Sequence, residues 1–248
     1  MSLAYSAKFL ETADYLNLQF LSCERKYFDG LFLKEVFMTR GLLITLEGID
    51  GCGKSTQAEL LCKKLSHQNY DYIMVREPGG TTVGENVRQI LLNNNYSPSL
   101  HSEMFLYMAA RSELTRQILG PALKTGQLVI CDRFTDSTLA YQGFGGGADL
   151  GMIRYLSSVA TGGLAPDLTL LLDLPVEEAI GRRGDSTDRM ESKDIRFHQR
   201  VRNGYLEIAQ NEPERIKVIN ALYSVEELSE IIWELIENLL INKKEEGI

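Results

Sequence analysis

Residues 42–56, LLITLEGIDGCGKST, constrain the fold more than any other stretch of this chain. An apolar, β-branched run, Leu42 to Leu46, ends at Gly48, and a helical pattern opens at Lys54, Ser55 and Thr56. Gly48, Gly53, Lys54 and Ser55 fit the spacing of a phosphate-binding loop: glycine, four residues, then Gly-Lys-Ser. Glycines let the backbone turn back, so that the N–H groups of Ile49, Asp50, Gly51 and Cys52 point into one concavity. A helix N-terminus below that concavity favours an anion. Lys54 then reaches the outer phosphates, and the Ser55 hydroxyl ligates Mg²⁺. A plain strand–turn–helix needs neither the second glycine nor the lysine beside it.

A length of 248 residues suits one α/β domain with a sizeable core. The net charge of −8 argues against a non-specific nucleic-acid partner, so an anionic ligand requires arginines gathered locally. Cys23, Cys52, Cys62 and Cys131 have neither metal nor disulfide spacing and read as reduced thiols of a cytoplasmic protein. His67, His101 and His198 are scattered and read as ordinary surface or core histidines. No apolar stretch is long enough to span a membrane, and no membrane partner is expected.

Residues 1–37 mix aromatics with charges and carry no catalytic motif. Lys8, Glu11 and Asp14 break any signal-peptide core, and Met38 is a plausible natural start. The segment reads as an extension without an assigned function, ahead of a nucleotide kinase domain over 38–248. From 41 onward strand and helix patterns alternate, which implies a parallel sheet wrapped by helices. Strands are expected near 42–47, 71–76, 127–132, 168–173 and 215–219. Helices are expected near 54–66, 83–93, 101–119, 149–160, 175–182, 192–210 and 225–241. Gly143, Gly145, Gly146 and Gly147 read as a mobile loop, and Gly184 to Thr187 as another. Ligands of such sheets bind beyond the carboxyl ends of the strands.

Four motifs lie at those ends. The second strand runs into Arg76-Glu77-Pro78-Gly79-Gly80, and a charged pair just before the turn suits a site. The third runs into Asp132-Arg133, an acidic residue placed for a Mg²⁺-bound water and a planar fork placed for a phosphate. Tyr107 and Arg111 share a helix face, an aromatic plate with an arginine at its edge. Thr138, Tyr141 and Gln142 fit the same pocket, although spacing alone reads their segment as loop. Last, Arg182 to Arg189 is polar and cation-rich between two helices, as a lid near 182–191 would be.

Taken together, GIDGCGKST, REPGG, YMAAR, DRF followed by STLAYQG, and PDLTLLLDLP resemble the thymidylate kinase family, bacterial type, from about Gly41 onward. The resemblance implies the P-loop NTPase nucleoside monophosphate kinase fold, a five-stranded parallel sheet flanked by helices. It implies ATP and Mg²⁺ as cofactors, dTMP as acceptor, dTDP as product and a homodimer. By the same resemblance Asp50 accepts the sugar 3′-hydroxyl, and Arg88 and Arg133 bind the acceptor phosphate. Arg111 contacts thymine, and Tyr107 stands where the family usually stacks a phenylalanine. Thr138 and Gln142 face the base, Tyr141 crowds the 2′ position, and Glu77 orders the site near Mg²⁺ or the sugar. Asn220 and Ala221 resemble the segment lining adenine. With Gly51 and Cys52 in the loop, the catalytic arginine comes from the lid, among Arg182, Arg183 and Arg189; Arg182 is alternatively a plate for adenine.

The acceptor phosphate is already ionised at neutral pH, its second pKa being about 6, so no general base is expected. Two rival classes stay in view. A deoxynucleoside kinase needs a carboxylate base and no room for a monophosphate, which the Arg88–Arg133 pair disfavours. A switch ATPase hydrolyses ATP without any acceptor.

Overall fold

The computed structural model describes residues 40–183 and 188–245. The extension expected over 1–37 and the lid residues Gly184 to Thr187 lie outside the described residues. Five parallel strands make one sheet: β1 (Leu43–Glu47), β2 (Tyr72–Arg76), β3 (Leu128–Asp132), β4 (Leu168–Asp173) and β5 (Ile216–Asn220). Their order is β2-β3-β1-β4-β5. Central β1 is buried along its whole length because helices cover both faces, which is why it reads as an unbroken apolar run. Its one hydroxyl is satisfied sideways, Thr45 against Thr169 of β4 at 2.8 Å. The register sets Leu46 of β1 beside Asp132 of β3, and Asp132 beside Arg76 of β2, so the charged strand ends form one row.

Helices α1 (Lys54–His67), α2 (Thr82–Leu92), α3 (Leu100–Leu114), α4 (Gly120–Lys124), α5 (Thr135–Thr138), α6 (Leu150–Thr161), α7 (Val176–Gly181), α8 (Ile195–Asn211) and α9 (Val225–Glu245) surround the sheet. Thr81, Ser99, Asp149 and Asp194 cap α2, α3, α6 and α8 with their side chains. By contrast α1 starts from Gly53 in the left-handed region with no side-chain cap, which leaves its first-turn N–H groups to face the loop. Gly48 answers a steric demand as well, since a Cβ there would stand 2.4 Å from the Leu172 carbonyl oxygen.

Two expectations are corrected. The helix expected to stop near 119 passes through a π-helical turn, Thr115–Leu119, into α4. More consequential, the expected loop after Arg133 is helical: α5 runs into a π-helical turn over Leu139–Gly145. Its glycines serve contact rather than mobility. A Cβ on Gly145 would meet Val201 Cγ2 at 2.7 Å and Phe197 Cε2 at 2.8 Å, so the small residue lets α8 approach. On α8, Gly204 makes room in the same way for Phe144.

Candidate active site

The phosphate loop is closed from within. Lys54 is buried, and its ammonium donates to the Gly48 and Ile49 carbonyls at 3.1 and 3.0 Å. Next to it the Ser55 hydroxyl donates to Asp132 Oδ2 at 3.2 Å, across the gap between α1 and β3. The other oxygen of Asp132 is buried with no hydrogen-bond partner. Among the described residues no group of three or more His, Cys, Asp or Glu makes a metal centre. Ser55 and Asp132 therefore fit a cation that brings most of its oxygen ligands with it on a nucleotide.

Arg133 is the hub of the site. It sits at φ 70°, a left-handed conformation unusual for a residue other than glycine, at a cost of about 1–3 kcal/mol. Its backbone is fixed on both sides: Arg133 N–H donates to Leu46 O at 3.0 Å, and Phe134 N–H to Glu47 Oε1 at 2.7 Å. The guanidinium then pairs with Asp50 and reaches Gly48 O at 2.9 Å. Tyr141 completes the corner by donating to Asp50 Oδ2 at 2.7 Å. Burial alone would raise the Asp50 carboxyl, but the charges of Arg133 and Lys54 overturn that and hold it well below the usual carboxylate range.

Under this corner lies Glu47, which no motif reading singled out. It is buried and accepts from Phe134 N–H, Ser137 Oγ at 2.6 Å and the Tyr205 hydroxyl at 2.9 Å. Desolvation, with Asp136 nearby, pushes its carboxyl up to about 7 against the pull of Arg133. One sequence signal did exist: a charged residue closing an apolar strand, the same sign that marked Asp132. Tyr205, on α8, had no such sign.

Arg111 is 1% exposed. Its guanidinium donates to Glu77 Oε2 at 2.8 Å, Phe134 O at 3.0 Å and Thr138 Oγ1 at 2.9 Å. Desolvation raises the Glu77 carboxyl, and Arg111 opposes the rise. Arg88 Nη1 donates to Pro78 O at 3.0 Å, which ties α2 to the turn after β2. These groups wall two adjoining cavities. The first is lined by Tyr107, Arg111, Thr138, Tyr141 and Gln142, among others. The second is lined by the loop from Asp50 to Thr56 and by Asp132, Arg182 and Ala221, among others. Asp50, Glu77, Arg88, Arg133 and Asp188 belong to both.

The arginines around the lid separate. Arg182 donates to Ala221 O at 2.9 Å and lines the second cavity. Arg183 donates to Asp50 O at 3.2 Å and Glu191 O at 3.2 Å, with one η-nitrogen buried and unpartnered. His198, read as an ordinary histidine, is fully buried beside it, its Nε2 3.5 Å from Arg183 Nη1. Glu103 and the Leu91 carbonyl hold Arg189, and like Arg183 it lines neither cavity. Its charge is paired with Glu103 inside the fold. Asn220 is likewise turned to its own chain, accepting from Leu222 N–H at 3.1 Å, while Ala221 and the unanticipated Tyr223 line the cavity.

A family model described as Thymidylate kinase matches residues 46–232. The chain is 44% identical over 205 residues to a thymidylate kinase of Kosmotoga olearia, covering 82% of this chain and 98% of the relative. It is 47% identical over 197 residues to one from a Synechococcus strain, covering 79% and 94%. A crystal structure of thymidylate kinase from Ehrlichia chaffeensis superposes with a TM-score of 0.68 at 34% identity, covering 80% of this chain and 99% of that one.

Proposed function

Because the chain belongs to the thymidylate kinase family, and thus carries the γ-phosphoryl of ATP to dTMP to give dTDP, we propose that its two cavities are the two nucleotide sites. The supporting observation is their shared wall. A donor phosphate on the loop and an acceptor phosphate in the first cavity meet where Arg88, Arg133 and Asp50 line both.

In this reading the loop from Gly48 to Thr56 cradles the ATP phosphates, with Arg182 and Ala221 at the adenine side. Mg²⁺ is held by Ser55 and Asp132, and when bound it neutralises charge on the phosphate oxygens. Arg88 and Arg133 take the acceptor phosphate, and Asp50 takes the 3′-hydroxyl. Arg111, Thr138 and Gln142 face the base, with Tyr107 as its plate, and Tyr141 crowds the 2′ position. Glu77 orders the junction, since its Oε1 is buried without a partner. Among the lid arginines we assign the transferring phosphoryl to Arg183, which lines neither cavity but donates to the Asp50 carbonyl of the loop and has a buried η-nitrogen without a hydrogen-bond partner. Repulsion between two phosphates is the main barrier to approach. Cations fixed beforehand lower it with no rearrangement during the reaction.

We further assign residues 38–248 to the kinase domain and 1–37 to an extension. No helix among the described residues is long and apolar enough to cross a membrane. Free thiols at Cys52, Cys62 and Cys131 support a reducing compartment, the cytoplasm. A homodimer is supported by α3 and α6, which pack together while exposing Phe105 and, at 70% and 63%, Tyr155 and Val159. Coupled ADP release across a panel of nucleoside monophosphates and thymidine tests the reading. Release is expected with dTMP and far less with thymidine; ADP release that needs no acceptor would refute it.

A further inference from the structure

The base-side cavity is backed by a chain of three buried side chains. Gln142 Nε2 donates to Glu103 Oε1 at 2.8 Å. The second oxygen of Glu103 accepts from Arg189 Nη2, and Arg189 Nε donates to Leu91 O at 2.8 Å. Gln142 is 1% exposed and Glu103 6%. Gln142 lines the cavity; neither Glu103 nor Arg189 does.

Hydrogen-bonding capacity fixes the order of this chain. A carboxylate offers acceptors only, so the amide of Gln142 must turn its NH₂ group to Glu103. Arg189 holds the other carboxylate oxygen, which keeps Glu103 from turning away. With its nitrogen held, the amide keeps its carbonyl oxygen, an acceptor, as the other polar end. Arg111, which lines the same cavity, contributes donors only. A cavity wall that offers both an acceptor and a donor can complement a pyrimidine imide, whose ring N–H adjoins a carbonyl. Against a cytosine-type ring, whose N3 is an acceptor and whose exocyclic group is a donor, both polarities are wrong.

We propose that Glu103 is the positioning residue that makes this site select an imide base, by locking the orientation of the Gln142 amide. This rests on the reading above that Gln142 faces the base. The preference is then set by a carboxylate that never touches the substrate. A buried polar group that meets the wrong partner loses a hydrogen bond and keeps its desolvation cost, so discrimination of tenfold or more follows.

The test compares kcat/KM for dTMP with that for 5-methyl-dCMP, which carries the same methyl group and sugar but no imide. The proteins are the wild type, Glu103→Gln, Gln142→Ala and the double variant. A glutamine at 103 offers both a donor and an acceptor, so it no longer dictates how Gln142 turns. Glu103→Gln is expected to lower the dTMP preference at least about tenfold, mainly through KM for the acceptor, with KM for ATP unchanged. The double variant should lose no more than Gln142→Ala alone. A preserved preference in Glu103→Gln, with a fall in Gln142→Ala, overturns the lock but leaves the base contact standing. A preserved preference in Gln142→Ala overturns the base contact and the lock with it. If Glu103→Gln does not fold, Glu103→Met with Arg189→Met removes both partners and leaves no unpaired buried charge. That pair is expected to show the same fall, and an unchanged preference in it overturns the proposal.

Discussion

The donor half and the acceptor half of the site are built differently. The donor half is main chain: one short loop, one uncapped helix start, and a lysine bonded to the loop's own carbonyls. The acceptor half is side chains drawn from four separate stretches, with Arg111 of α3 joined to Glu77 after β2 and to Thr138 of α5. In the donor half the fold survives loss of a side chain, because the cradle is backbone. In the acceptor half the binding groups are also structural groups, so chemistry and stability fall together.

Lys54→Ala carries the largest expected effect and probes the first half of that contrast. Turnover should fall at least about a thousandfold, since no neighbouring donor replaces an ammonium on the outer phosphates. Thermal unfolding should shift little, because the helix and loop glycines remain. Steady-state ADP release and a melting curve measure both. A large loss of stability would erase the difference between the halves.

Arg111→Ala probes the second half. Glu77 would stay buried and unpaired, with side-chain exposures in the intact pair of only 1% and 4%. Breaking such a pair from one side costs about 3–5 kcal/mol, so the melting temperature should drop clearly. Among the molecules that stay folded, KM for dTMP should rise much more than KM for ATP. Equal changes in both, or no loss of stability, would contradict the division.

Glu47 lies on the seam between the halves, and its effect is read through pH. Its carboxyl is raised from an ordinary 4.5 to about 7, so the native state binds the proton more tightly than the unfolded chain. Stability from this group is therefore fully present below about pH 4.5 and is lost as pH rises through 7, by roughly 3 kcal/mol in all. Asp50 shifts the opposite way and titrates at lower pH, so the windows separate. Denaturant unfolding between pH 5 and 8 should show a fall that Glu47→Gln flattens. A variant with the wild-type slope would remove Glu47 from the explanation.

This contrast also explains what the sequence could show. The donor half occupies consecutive residues, so Gly48, Gly53, Lys54 and Ser55 carry their geometry in their spacing. Strand positions came out within a residue or so for the same reason, since a buried parallel strand is a continuous apolar run. The acceptor half is assembled by the fold across gaps that no spacing rule covers, and its roles came from family resemblance. Glycines at 143 and 145 read as a mobile loop because the signal for flexibility and the signal for close helix packing are the same residue. Arg189 reads as one of three candidate lid arginines because its sequence neighbours are polar, while the carboxylate that holds it is on α3, far away in the chain.

Tyr107→Phe gives the smallest expected effect and sharpens the contrast from the other side. Tyr107 lines the acceptor cavity, and burial together with Glu103 pushes its hydroxyl above the ordinary tyrosine range, so the ring stays neutral at working pH. If its contribution is a stacking face, phenylalanine supplies the same face, and kcat/KM for dTMP should change by less than about threefold. Thermal stability should be equally indifferent, because the hydroxyl closes no ion pair of the Arg111 kind. A change beyond tenfold in acceptor kinetics would mean that the hydroxyl is itself a recognition group. The acceptor half would then depend on polar contacts throughout, and the separation between a replaceable aromatic plate and the irreplaceable charged framework behind it would have to be given up.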